Sequence, residues 1–245
     1  MARDERPVAA VPARILWLLA VALGAQIAWR AAQGNGAGAG ADLPPPPAAG
    51  MPKAASLGET AALSRVAMVW LQAFDSRGDN NIPYQQLDYD RLVGWLRAIL
   101  ATDPRSLYPL FAAARVYAEN EDPVKMRRML AFIYEEFGAD PDLRWPALAH
   151  AALLAKHRLA DLPLARRYAA AIQRQTSETA APLWARQMEV FILEDMNELE
   201  AARVMLGGLL ATDRIKDPAE RRFLEGRLKE LEARVAATRG PKGKR

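Results

Sequence analysis

From Ser56 onward apolar residues recur at spacings of three and four, and no run alternates apolar with polar long enough to make a strand. That pattern predicts helices and no sheet. A first helix over about 59–74 places Leu63, Val66, Ala67, Trp70, Leu71 and Phe74 on one stripe. Residues 75–87 break it with Gly, Asn and Pro. A second helix starts near Asp88, whose short carboxylate suits a cap. It carries Leu92, Val93, Leu96, Ile99 and Leu100 and stops at Asp103-Pro104. Further patterns fall over 105–119 and 123–137, 144–159 and 162–175, 183–195 and 197–212, each couple joined by a short polar break. A last one over 218–237 has the charged outer face of a capping helix.

The boundaries repeat. A residue before proline avoids the helical region, so Asp103-Pro104, Asp140-Pro141 and Asp217-Pro218, with Ala181-Pro182 between, predict helix stops. The intervals are 37, 41 and 36 residues, each holding two helices. A helix-pair period of that size marks a stacked α-solenoid, in which neighbouring pairs cover each other's apolar faces. Small and aromatic residues stand where paired helices approach closely: Ala113 and Tyr117, Ala165 and Tyr168, and Trp184 with Ala201 and Ala202. In these positions the chain resembles the tetratricopeptide (TPR) family over about residues 57–237, without the Gly usual early in the first helix of a repeat. The resemblance implies an all-α fold: three to four antiparallel helix pairs and a C-terminal capping helix, within a domain spanning 56–238. It also implies a groove that takes a helix or extended segment of a partner protein.

Ahead of this domain, residues 15–29 (ILWLLAVALGAQIAW) form an uncharged, largely apolar run between Arg14 and Arg30. Fifteen helical residues span roughly 22 Å, against about 30 Å of hydrocarbon. Snorkelling Arg14 and Arg30 and interfacial Trp17 and Trp29 make up the difference. The expectation is one N-terminal transmembrane helix, an anchor or signal segment over 15–30. Arg3, Arg6 and Arg14 keep residues 1–14 in the cytoplasm, which leaves the body periplasmic. Two other readings compete, a cleaved signal peptide and a buried core helix. Small-residue cleavage sites are poorly placed, with Ala22-Leu23-Gly24 inside the run and Ala39-Gly40-Ala41 well beyond Arg30. Residues 31–55 read as a Gly/Ala/Pro linker, flexible except for the stiff Pro44–Pro47.

Charge narrows the partners. The chain carries +4 at pH 7, but residues 56–238 hold 24 basic and 26 acidic side chains, so the excess sits at the ends. A nucleic-acid binder would need a basic body, so no nucleic acid is expected. The tail 239–245 (RGPKGKR) reads as a basic disordered end, with at most a weak attraction to anionic lipid or wall polymer. Absence of cysteine removes disulfides, thiolate zinc sites and thiol nucleophiles. An Ala- and Arg-rich, Lys-poor composition points to a high-GC Gram-negative bacterium.

Little in the sequence carries chemistry. His150 and His157 are seven apart, whereas metal ligands on one helix favour three or four, and no third ligand is evident. Asp75, Asp79, Asn80, Asn81, Asp88 and Asp90 lack EF-hand spacing and read as turn and cap residues. No phosphate loop, dinucleotide fingerprint or nucleophile elbow is present. Glu135-Glu136, Glu194-Asp195 and Glu119/Glu121/Asp122 offer carboxylates for a peptidoglycan-cleaving alternative, but at helix ends where solvated carboxylates are normal. Trp70, Phe74, Tyr84, Tyr89 and Trp95 cluster about the first pair as packing knobs. By placement, Arg144, Trp145, Trp184 and Arg186 are the candidate partner-binding residues, with Arg166 and Arg167 as further charge. Neither metal nor cofactor is expected. The sequence therefore points to a non-catalytic, inner-membrane-anchored scaffold binding a cell-envelope protein; a soluble, signal-cleaved periplasmic binding protein is the other non-enzymatic reading.

Overall fold

A computed structural model describes residues 12–32, 43–48, 56, 58–76, 83–177, 179–211, 215 and 217–239. All regular structure among them is helical, with no strand. The expected N-terminal residues 1–11, most of the linker (33–42 and 49–55), loop residues Asp79, Asn80 and Asn81, and tail residues 240–245 lie outside the described residues. The chain divides into two compact units.

One unit holds helix α1, Ala13–Ala32. Ile15, Leu16, Trp17, Leu18 and Leu19 are all exposed, as are Val21, Leu23 and Ile27. Five consecutive residues cannot share one face of a helix, so the apolar surface of α1 runs all round it. Among the described residues no helix is long and apolar enough to cross a membrane.

The other unit holds the remaining helices. These are α2 (Thr60–Gln72), α3 (Tyr89–Thr102), α4 (Tyr108–Ala112, continued by a π turn over Ala113–Tyr117), α5 (Pro123–Phe137) and α6 (Pro141–His157). They are followed by α7 (Leu162–Gln175), α8 (Leu183–Asp195), α9 (Leu199–Leu210) and α10 (Pro218–Arg239). Successive helices from α5 to α10 pack each on the next; α2 packs on α3, and α3 on both α4 and α5.

Aspartates start these helices. Asp88 accepts from the backbone N–H groups of Asp90 and Arg91, Asp122 from Val124, Asp140 from Leu143, Asp161 from Leu164 and Asp217 from Ala219. The Asp-Pro pairs at 140 and 217 therefore open the following helix rather than merely closing the one before. Proline suits the first helical position because its missing N–H would have no partner there. Asp103 behaves as expected and closes α3, its N–H bonded to the Ile99 carbonyl. The break after α8 is a left-handed turn at Asn197 (φ 59°), with Glu198 N–H donating to the Leu193 carbonyl and Asn197 N–H to that of Glu194. These bonds satisfy the orphan carbonyls of the helix end.

The buried face of α2 follows the expected stripe at Leu71, with Ala67, Trp70 and Phe74 packed against the core, but departs from it at Val66. Ser64, Met68 and Leu71 are buried, whereas Val66 is 64% exposed. Both phases are compatible with a spacing of three and four, and the neighbouring helices decide between them. In α3 the expected set Leu92, Val93, Leu96, Ile99 and Leu100 is buried throughout.

The core forms two clusters. The larger runs from Leu43 through Phe132 and Phe137 to Ile192; the smaller joins Val190 and Leu193 to Leu206, Leu224 and Leu231. Helix α8 feeds both, which is why its polar residues Arg186, Gln187, Glu189 and Glu194 are buried.

A polar knot closes the first part of the unit. Tyr89 donates to the Tyr117 carbonyl (2.7 Å) and accepts from Asn120 Nδ2 (2.9 Å), while the Asp122 N–H donates to Asn120 Oδ1. Burial pushes the Tyr89 hydroxyl up to about 12. Tyr89→Phe removes both of these bonds, and Asn120 Nδ2 keeps only the Gln85 carbonyl (3.2 Å), so it is expected to cost about 1–3 kcal/mol in a chemical-denaturation series.

Residues Leu43–Ala48, within the stretch expected to be a spacer, are seated on the domain, and Leu43 is fully buried in the core. A proline run makes no internal backbone hydrogen bonds, so its carbonyls are open to donors from a neighbouring helix.

Candidate functional site

Charged and aromatic side chains join alternate helices. Tyr108 of α4 donates to Gln72 of α2 (2.5 Å). Glu119, just beyond the π turn, meets Arg158 (3.2 Å) and His150 (3.9 Å) from α6 and its end. Helix α6 in turn reaches α8 through Lys156 and Asp195 (2.5 Å) and through the Trp145 and Trp184 rings, edge to face at 5.6 Å. Glu194 of α8 takes Arg227 and Arg234 of α10. A second series runs through the other helices. Arg97 of α3 holds Glu135 and Glu136 of α5 (2.6 and 3.0 Å), and Arg127 of α5 holds Asp161 at the start of α7 (2.5 Å). Tyr134 and Tyr168 stack between α5 and α7, with Arg167 over the Tyr134 ring at 4.4 Å.

Exposed apolar side chains include Val66 and Val69 on α2, Tyr108 and Phe111 on α4, Leu153 on α6 and Trp184 on α8, besides Val124 on α5, Val204 on α9 and Phe223 on α10. Arg65 and Arg115 stand exposed beside them, and no ion pair ties either to a described residue. Tyr108, Phe111 and Arg115 step by three and four, so they share a face distinct from that of buried Leu110, Ala113, Ala114 and Tyr117. The sequence reading does not single out Phe111, Arg115 or Leu153. For Phe111 the available signal is this second apolar phase, shared with Tyr108, on a short helix.

The expected partner-binding residues fare unequally. Arg144 is 4% exposed and donates to the carbonyls of Glu136 (2.6 Å) and Pro104 (3.0 Å), so its charge is spent inside the fold. Arg186 is buried, and its Nε has no partner among the described residues. Trp145 is half-buried against Trp184, which is 53% exposed and alone of the four is open to solvent. Arg166 is engaged by Glu189 (3.3 Å) and Glu198 (3.7 Å).

Glu194 departs from the solvated setting expected for helix-end carboxylates. It is 7% exposed and enclosed by two guanidinium groups, whereas a general acid needs an uncharged, apolar surrounding. Asp88 caps α3 and Asp90 pairs with Arg128 at 2.6 Å. Among the described residues no three His, Asp or Glu side chains gather as metal ligands.

His150 of α6 lies beside Glu119. Burial, and then the Arg115 charge, hold its imidazole below the ordinary 6.5, with Glu119 acting in the opposite sense. The unfolded chain therefore binds this proton more readily than the folded one, and stability falls as pH drops below about 6.5. His150→Gln is expected to flatten that part of the dependence of Tm on pH, leaving the region above pH 7 unchanged. No family model, curated protein or solved structure matches this chain.

Proposed function

We propose that this chain is a non-catalytic scaffold, held in the inner membrane by residues 15–29, whose TPR-like stack of antiparallel helix pairs docks a partner protein in a cell-envelope assembly. The observation that carries the reading is the pair of contact series between alternate helices, one through α2, α4, α6, α8 and α10, the other through α3, α5 and α7. A solenoid of helix pairs builds such series, because each first helix meets the first helix of the next pair.

On this reading the faces of α2, α4 and α6 form a shared trough, and Val66, Val69, Phe111 and Leu153 are its apolar floor. Arg65 and Arg115, without an ion pair among the described residues, favour an occupant bearing acidic residues, as an amphipathic helix or extended segment. The anchor reading draws support from α1, whose all-round apolar surface suits lipid better than water. An anchor raises the local concentration of the docking face near membrane partners without any added contact. The intact mass of the chain taken from membranes is expected to retain residues 2–32; their loss favours the signal-cleaved alternative.

The docking proposal is tested with a photocrosslinking residue in the full-length chain, at 111 or 153 on the proposed trough and at 124 or 204 elsewhere. Val124 and Val204 are as exposed as any of these side chains. One and the same partner is expected from positions 111 and 153 and not from the others. Equal yields from all four positions, or capture only from 124 and 204, contradict the proposal.

A further inference from the structure

The seat of Leu43–Ala48 has the parts of a proline-recognition site. Arg91, Gly94 and Trp95 fall at i, i+3 and i+4 of α3 and so present one face. The Arg91 guanidinium donates to the Leu43 carbonyl (2.7 Å), and the Trp95 indole N–H donates to the Pro44 carbonyl (2.9 Å). Trp95 is braced by Trp70 of α2, ring centroids 4.6 Å apart, and Trp70 in turn by Phe74. Leu43 is fully buried ahead of the prolines.

Gly94 makes the room. A methyl group there would stand 2.6 Å from Cγ and 3.0 Å from Cβ of Pro46, closer than carbon atoms approach without a shift, and a proline ring cannot swing aside. Glycine is a poor residue for the middle of a helix, and space for Pro46 is what it provides here. The ligand is rigid as well: each residue before a proline is restricted to extended geometry, so Leu43–Pro46 is held near a polyproline helix before it docks. Aromatic surfaces with a hydrogen-bond donor for such a segment are a recurring mode of peptide recognition.

We propose that the α2–α3 surface around Trp95, Arg91 and Gly94 is a binding site for leucine-headed proline runs, which the chain fills with its own Leu43–Pro47. The site is closed in cis and takes such a segment in trans only when the resident one is lifted. The inference is independent of the trough formed by α2, α4 and α6, since it concerns the opposite partner of α2 and a different occupant.

The test uses the full-length chain and the peptide acetyl-ADLPPPPAAG, which copies residues 41–50. The natural chain is expected not to bind the added peptide. A chain carrying Leu43→Ser with Pro44, Pro45 and Pro46→Gly is expected to bind it, with a change in Trp95 fluorescence; adding Gly94→Ala or Trp95→Phe to that chain is expected to weaken binding at least tenfold. A second arm keeps every core residue. Gly94→Ala in the otherwise natural chain is expected to speed exchange of the Trp95 indole proton at least tenfold by NMR. It is also expected to lower Tm there, yet raise Tm in the chain without the resident prolines, where only helix propensity remains. The proposal is overturned if the vacated chain keeps its helical circular dichroism and ignores the peptide, or if it binds with Gly94→Ala as well as without it. Should the vacated chain not fold, an unchanged indole exchange rate in the Gly94→Ala protein overturns it instead.

Discussion

Arg144→Ala is expected to destabilise the helical domain by about 3 kcal/mol, because two backbone carbonyls lose a charged donor inside the fold. The guanidinium bridges the Glu136 carbonyl at the end of α5 and the Pro104 carbonyl before α4, and its Nη1 lies 3.5 Å from the Glu136 carboxylate. One side chain of α6 thus ties two preceding connections, and at 4% exposure water cannot take its place. For a domain of this size the loss corresponds to roughly 6–12 °C in Tm. Arg144→Lys keeps the charge, but a single ammonium lacks the fork that reaches both carbonyls, so an intermediate loss is expected. Arg97→Ala removes another partner of Glu136 from a half-exposed position and is expected to cost less than about 1 kcal/mol. Thermal melts of the three full-length variants separate these cases; a shift under 2 °C for Arg144→Ala contradicts the bridging role.

The second large effect concerns docking. Phe111→Asp combined with Arg115→Glu places two acidic groups on the proposed trough and removes an aromatic anchor. It is expected to weaken partner binding by about 10- to 100-fold, the range of a hot-spot pair. Both side chains are exposed, so Tm is expected to stay close to that of the natural chain. Val124→Asp, on α5, serves as the matched control and is expected to leave affinity unchanged. Titration of the partner captured by crosslinking reads all three proteins.

Helices were legible in the sequence because their ends obey local rules. Capping is a local rule, so Asp88 is legible as a start and Asp103 as a stop, but Asp140 and Asp217, expected as stops, and Asp122 and Asp161, expected as breaks, cap the helices that follow them. Which face of a helix is buried is a tertiary matter. Val66 and Met68 are both apolar, and only the position of α3 and the core decides that Met68 goes inside and Val66 remains 64% exposed. Long charged side chains are harder still. Arg144 and Arg186 look like surface charge from their types, but α6 and α8 have neighbours on several sides and take them inside. The proline run was read as a spacer because polyproline has no internal partners to reveal; its partners, Arg91 and Trp95, lie nearly fifty residues away. The side chains proposed to line a trough are scattered one or two per helix, so no local pattern in the sequence marks them.

The most direct measurement is amide hydrogen exchange on the full-length chain, alone and with its captured partner bound. Docking in a trough shared by alternate helices predicts slowed exchange over 60–72, 108–117 and 141–157, with 123–137 and 162–175 unchanged. Protection confined to those latter two segments, or spread evenly over the domain, contradicts it.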